Sequence, residues 1–189
     1  MPRLFTLAGL TLLLASCASA PTRFHTLDPV PPAAAPAART LALPIQLESV
    51  TVPPELDRPQ VVRRAGPGKL DLSDDDHWAG ALDELARAVL ATELAARLPP
   101  GATVKPDDPA PPKLLRHLDV VIERFEGAVG GPTVTLVADW TLLGTGGNQA
   151  LARHEERIEV PAGPDMDGTI TAMSAALGQL ADRIAAALG

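Results

Sequence analysis

The chain has one cysteine among its 189 residues, no tyrosine, three phenylalanines and two tryptophans. The lone cysteine, Cys17, cannot form an internal disulfide. With aromatics so scarce, the core has to be built from Leu, Val, Ile and Ala. Positive charge is also short: 16 basic residues stand against 23 acidic ones, a formal net charge of −7. That balance argues against a nucleic-acid partner and against anionic headgroups as the main attraction to a surface. No apolar run approaches the roughly 20 residues that a membrane-crossing helix needs.

Catalytic and metal-binding patterns are missing too. Past the N-terminal segment the serines are Ser19, Ser49, Ser73 and Ser174, none in a nucleophile-elbow pattern, so no hydrolase machinery assembles and the chain reads as a non-enzyme. His25, His77, His117 and His154 are scattered, and on the strand expected at His154-Glu155-Glu156 neighbouring side chains point opposite ways. Asp71, Asp74, Asp75 and Asp76 invite a calcium loop, but the twelfth position counted from Asp71 is Leu82 rather than glutamate. Gly66-Pro67-Gly68-Lys69 lacks the serine or threonine and the glycine spacing of a phosphate loop and reads as a turn. The expectation is no metal and no cofactor.

What the chain does have is an export signal. Met1-Pro2-Arg3 precedes an apolar run from Leu4 to Ala15, which ends at small residues just before the single cysteine. Leu14, Ala15, Ser16 and Cys17 read as a bacterial lipobox. Cleavage would make Cys17 the first residue, its thiol carrying a diacylglyceryl group and its freed amine an acyl chain such as palmitate. One chain anchors only marginally, at about 0.8 kcal/mol per buried methylene, whereas three hold essentially permanently. The competing reading is ordinary signal cleavage at Ala18 or Ala20, which would discard Cys17.

The expected organisation is a signal peptide over residues 1–16, a lipidated and Pro/Ala-rich tether over 17–39, and one domain over 40–189. Residues 24–27 are a candidate short strand. Asp28 to Arg39 carries Pro29, Pro31, Pro32 and Pro36, and is read as an extended spacer of about 3.1 Å per residue. Leu41, Leu43, Ile45 and Leu47 alternate as a half-buried strand, with Pro44 suggesting an edge or bulge. Gln60 to Arg64 and Lys69 to Leu72 form a hairpin around Gly66-Pro67-Gly68.

Ser73-Asp74-Asp75-Asp76 is read as the capped start of a helix over His77 to Leu98, with the carboxylates at its positive end. Trp78, Leu82, Leu85, Val89 and Leu94 would face the core, and Asp83, Glu84, Arg87 and Glu93 water. Strands at 118–123, 133–142 and 151–160 form an antiparallel meander whose charged last member marks an edge, and Trp78 and Trp140 are core residues. A helix from about Thr169 to Leu188 closes the chain, with an apolar seam at Ile170, Met173, Leu177, Leu180 and Ile184. The fold class is α+β, a mostly antiparallel sheet with two main helices on one side, in the order β-β-β-α-β-β-β-α. Periodicity alone leaves open whether the last seam packs within the subunit or makes a homo-oligomer.

The lipobox, the Pro-rich spacer, Pro44, the stretch Leu56-Asp57-Arg58-Pro59-Gln60-Val61-Val62 leading into Arg63 and Arg64, His77-Trp78-Ala79, and Trp140 within its strand together resemble the PqiC family. The resemblance runs from about Phe24 to the last helix. These are auxiliary lipoproteins of ABC-type transport systems. It implies attachment to the inner leaflet of the Gram-negative outer membrane, a domain facing the periplasm, and a role in envelope integrity. The implied partners are a transport protein with mammalian-cell-entry (MCE) domains and its inner-membrane ABC or permease components. Ala18 after Cys17 is compatible with outer-membrane sorting, and the family supplies no catalytic residues. Asp57, Arg58, Arg63 and Arg64 are the candidate partner-binding residues, together with the meander edge. The rival expectation is an independent lipid-binding lipoprotein that holds a phospholipid acyl chain between sheet and helices. An enzyme acting on the cell wall or on lipid is the third, and the chain offers it no catalytic groups.

Overall fold

The computed structural model describes residues 21–32, 41–105 and 108–188, so the lipobox and Cys17 lie outside the described residues. Within them the chain runs β1 (Arg23–His25), β2 (Ile45–Thr51), β3 (Gln60–Gly66), β4 (Lys69–Trp78), α1 (Leu82–Arg97), β5 (Thr103–Val104), β6 (Arg116–Gly127), β7 (Thr133–Leu143), β8 (Ala150–Pro161) and α2 (Met166–Leu188). Apart from the short β1 and β5, this is the expected β-β-β-α-β-β-β-α order, and the class is α+β.

The strands form two mixed sheets rather than one. A three-stranded sheet has the order β1-β4-β3, with β1 parallel and β3 antiparallel to β4. A five-stranded sheet has the order β5-β2-β6-β7-β8, in which β2 lies parallel to both β5 and β6 while β6, β7 and β8 make the antiparallel meander. The sheets meet where the Val129 amide donates to the Arg64 carbonyl at 2.8 Å. Pro44 stands just ahead of β2, its carbonyl accepting from the Arg116 amide at 2.9 Å.

Both helices lie on the five-stranded sheet and against each other, α1 over β2 and α2 over β6, β7 and β8. The alternation at Val134, Leu136, Ala138, Trp140 and Leu142 places every one of these side chains in the core. The seam of α2 is likewise buried within the subunit at Ile170, Met173, Leu177, Leu180 and Ile184. α2 starts on Asp165, whose side chain accepts from the Gly168 amide at 2.8 Å. A Cβ on Gly168 would stand 2.5 Å from the Gly163 Cα, so the entry loop can close this tightly only over glycine. β8 is the outer edge, and its side chains are mostly exposed, as its charged alternation requires.

The helix start expected at Ser73 is not there. Ser73, Asp74, Asp75 and Asp76 do not cap a helix, and His77-Trp78 does not open one; all six close β4. The reason is tertiary. This stretch has a strand on each side, with Phe24 opposite His77 on β1 and Gln60 opposite His77 on β3, and that pairing overrides a local preference worth only tenths of a kcal/mol per residue. The helix begins five residues later, with Ala81 at a cap position that has no side-chain hydrogen bond and Asp83 and Glu84 in its first turn. Trp78 is a core residue, but from a strand.

Candidate functional site

The acidic run that does not cap a helix builds the first polar cluster. Asp76, the last residue of the run, is 3% exposed. The Arg23 Nη2 donates to its Oδ2 at 2.9 Å, His25 Nε2 lies 2.8 Å from its Oδ1, and the Ser73 hydroxyl donates to its Oδ2 at 2.8 Å. The Asp76 amide in turn donates to the Ser73 Oγ at 3.0 Å. Burial pushes the Asp76 carboxyl up, but the hydrogen bonds from His25, Ser73 and Arg23 outweigh it and hold the carboxyl below its usual value. The cluster pins a three-residue strand, β1, that parallel pairing alone would hold weakly.

A second cluster continues the clamp. Leu27 is in the core and the Asp28 amide donates to the Ser174 Oγ of α2 at 3.1 Å. The Val30 amide donates to Glu93 Oε1, and Arg97 donates to the other Glu93 oxygen, to the Val30 carbonyl and, through Nε, to Asp182 Oδ1 at 2.6 Å. Glu93, expected on the wet face of its helix, is 1% exposed. Gly178 makes room for the arrangement: a Cβ there would meet Arg97 Nη2 at 3.4 Å and Glu93 Oε1 at 3.5 Å. One visible signal was available, since Glu93 and Arg97 are oppositely charged at an i,i+4 spacing on a helix.

These two clamps redefine the reach of the N-terminus. The first residues of the expected spacer are bound to α1 and α2, and Leu41 beyond it packs against the core. Cys17 stands six residues ahead of Arg23 in the chain, a stretch that spans at most about 20 Å at full extension. A separation of tens of ångströms beyond that is not available while β1 is docked.

The four predicted partner residues do not converge on one point. Leu56 is buried and anchors a turn in which the Leu56 and Asp57 amides both donate to the Pro53 carbonyl, at 2.9 and 3.2 Å. Asp57 is exposed, and Arg58 is half-buried. Arg58 Nε is buried and has no hydrogen-bond partner among the described residues. Arg63 and Arg64, adjacent on β3, turn to opposite faces: Arg63 pairs with Asp71 at 2.7 Å, and Arg64 with the buried Glu126 at 3.0 Å. Of the four, Asp57 alone is exposed, and Arg58 beside it makes no ion pair with a described residue.

The meander edge presents Arg157 with Glu159 at 2.5 Å and Arg183 of α2 with Glu156 at 2.7 Å. His154 stacks on Trp140 with ring centroids 4.4 Å apart. Among the described residues no group of three His, Cys, Asp or Glu side chains is placed to hold a metal ion. No described helix is long and apolar enough to cross a membrane.

One concavity could not be assigned to particular residues from the sequence. A groove of about 460 Å³ runs between α1 and the β5-β2-β6 end of the sheet, walled by Ile45, Leu47, Leu94, Leu98, Val104 and Leu118. Along α1 it is floored by Ala88, Ala91 and Ala95.

The fold has known counterparts. A solved structure described as an uncharacterized protein superposes with a TM-score of 0.73 at 20% identity, covering 90% of this chain and all of the other. A protein of Xanthomonas campestris assigned to family DUF330 gives a TM-score of 0.67 at 17% identity, covering 88% of this chain and 93% of the other. Both share its architecture. No curated protein matches the sequence. The model of the ABC-type transport auxiliary lipoprotein component matches residues 25–185, which takes in both N-terminal clamps' acceptors, every strand from β2 to β8 and nearly all of α2. The chain thus belongs to the PqiC-like family of ABC-type transport auxiliary lipoproteins, a family of transport components rather than of enzymes.

Proposed function

We propose that this lipoprotein is fixed by Cys17 to the inner leaflet of the outer membrane and docks there the end of an MCE-domain transport tunnel, supporting lipid passage and envelope integrity. The observation that carries this reading is the clamped N-terminus. With β1 held by Asp76, and Leu27 to Val30 held by Ser174, Glu93 and Arg97, the domain hangs within about 20 Å of its lipid. Such a module acts as a membrane-proximal receiver and not as a long-range tether. Phe24, on the pinned strand, is 69% exposed. The partners are the MCE protein together with its inner-membrane ABC or permease components.

Replacing Cys17 with serine removes the acylation site. The variant is expected in the soluble periplasmic fraction or as uncleaved precursor when envelopes are fractionated; membrane attachment at the wild-type level would refute the anchor.

The docking surface is assigned to the Asp57-Arg58 turn and the β8 edge. Because Leu56 and the Pro53 carbonyl hold the turn, Asp57→Ala with Arg58→Ala should change stability by less than about 1 kcal/mol. Recovery of the MCE partner from detergent extracts should nevertheless drop severalfold. A double variant that unfolds, or one that recovers its partner in full, removes this turn from the interface.

A further inference from the structure

We propose that the groove between α1 and the β5-β2-β6 end of the sheet binds one acyl chain of an anionic phospholipid. This goes beyond docking, because it makes the domain a lipid acceptor in its own right.

Three properties of the groove select that ligand. Its volume, about 460 Å³, falls within the range of about 300–1,000 Å³ typical of small-molecule sites. Its walls are aliphatic, and Thr92, on the α1 wall, spends its hydroxyl on the Ala88 carbonyl at 3.0 Å. A site built to recognise a sugar or a peptide backbone would need donors and acceptors that these walls do not supply.

Length agrees as well. From Arg87 to Leu98 the α1 wall extends about 16 Å at 1.5 Å per residue, and half of the roughly 30 Å hydrocarbon core, the depth of one leaflet's acyl chains, is about 15 Å. Ala88, Ala91 and Ala95 recur at three- and four-residue steps, so they keep this helix face low along the whole trough. A row of leucines there would close it.

The head-group class follows from charge. Arg87 and Lys105 both line the groove, and neither makes an ion pair with a described residue. In a chain of net charge −7, where most other described arginines are matched to carboxylates, two unmatched cations beside an apolar trough complement a phosphate.

The test uses the full chain carrying Cys17→Ser, so that its own lipid does not compete. It is mixed with phosphatidylcholine vesicles containing a trace of phosphatidylglycerol with a photoreactive acyl chain, and crosslinks are mapped by mass spectrometry. Labelling should concentrate on the Ala88–Leu98 stretch of α1 and on Val104. Ala91→Trp fills the trough and should abolish that labelling, and Ala88→Trp, at an exposed position, gives the same result should the first variant fold poorly. Arg87→Glu with Lys105→Glu should reduce phosphatidylglycerol labelling about tenfold while leaving a photoreactive phosphatidylcholine unaffected. Crosslinks spread evenly over the surface, or unchanged in both tryptophan variants, would overturn the proposal. Equal labelling by the two lipids in the unsubstituted groove would overturn the anionic-head assignment. Recovery of the MCE partner by the Ala88→Trp variant separates the two readings, since docking can persist with the groove blocked.

Discussion

Arg97→Ala is expected to destabilise the domain by about 3–5 kcal/mol, a large part of the roughly 5–15 kcal/mol that holds a typical domain folded. The cause is the partner left behind. Glu93 is buried on every side, and without Arg97 its second carboxylate oxygen has lost its matching charge, while the first still accepts from the Val30 amide. Asp182, by contrast, is 43% exposed and can turn to water. Replacing both buried charges, as Glu93→Leu with Arg97→Met, should restore most of the stability, because a buried ion pair rarely outperforms apolar packing of similar volume. It should fall short by about 1 kcal/mol, since the Val30 amide then has no acceptor. Urea denaturation of the two variants beside the wild type checks both statements. A cost below about 1 kcal/mol for Arg97→Ala would mean that the junction between the N-terminal segment and the two helices does not depend on this pair.

Asp76→Asn should cost about 2–3 kcal/mol at neutral pH, in keeping with hydrogen bonds made to a charged group. The exposed Arg23 re-enters water at little penalty, which keeps the figure below that for Arg97. The same carboxylate gives the structure a pH dependence whose sign is fixed. The folded-state value of Asp76 lies below its unfolded value, so its stabilisation is complete above about pH 3.9 and is lost as the pH falls through the lower, folded-state value. Acid should therefore release β1 in the wild type. The asparagine variant should show β1 loosened already at neutral pH and little further change in that strand on acidification. Hydrogen exchange at the Arg23 to His25 amides, followed from pH 7 downward, reads this directly. Protection in the variant equal to the wild type at pH 7 would contradict the clamp. Release would also leave Leu27 as the first held residue, ten positions after Cys17, a stretch of chain that spans at most about 35 Å.

The legible parts of the fold were those with a clean period. β7 alternates over ten residues and α2 keeps a three- and four-residue step from Ile170 to Ile184, so each named its own buried face. Ser73 to Asp76 was misread because a cap and a strand acid look alike locally; what decides between them is Arg23 and His25, some fifty residues earlier in the chain. Glu93 was placed in water for a similar reason, its partners being Arg97 on the same helix and a backbone amide sixty-three residues away. The parallel placement of β2 between β5 and β6 carried no local sign, and a two-residue strand such as Thr103–Val104 is too short to show a period. Of the candidate site, the Asp57-Arg58 turn was visible through its prolines. The groove was hidden because Ala88, Ala91 and Ala95 read only as good helix formers until a sheet is set opposite them.

The most direct test of the docking account is to solubilise envelopes in a gentle detergent, pull down the tagged, lipidated protein and identify by mass spectrometry what comes with it. The account predicts an MCE-domain protein together with its inner-membrane ABC or permease components, in amounts that fall when Asp57 and Arg58 are replaced. A clean recovery of the lipoprotein carrying phospholipid but no such partner would contradict docking and leave an independent lipid-binding lipoprotein.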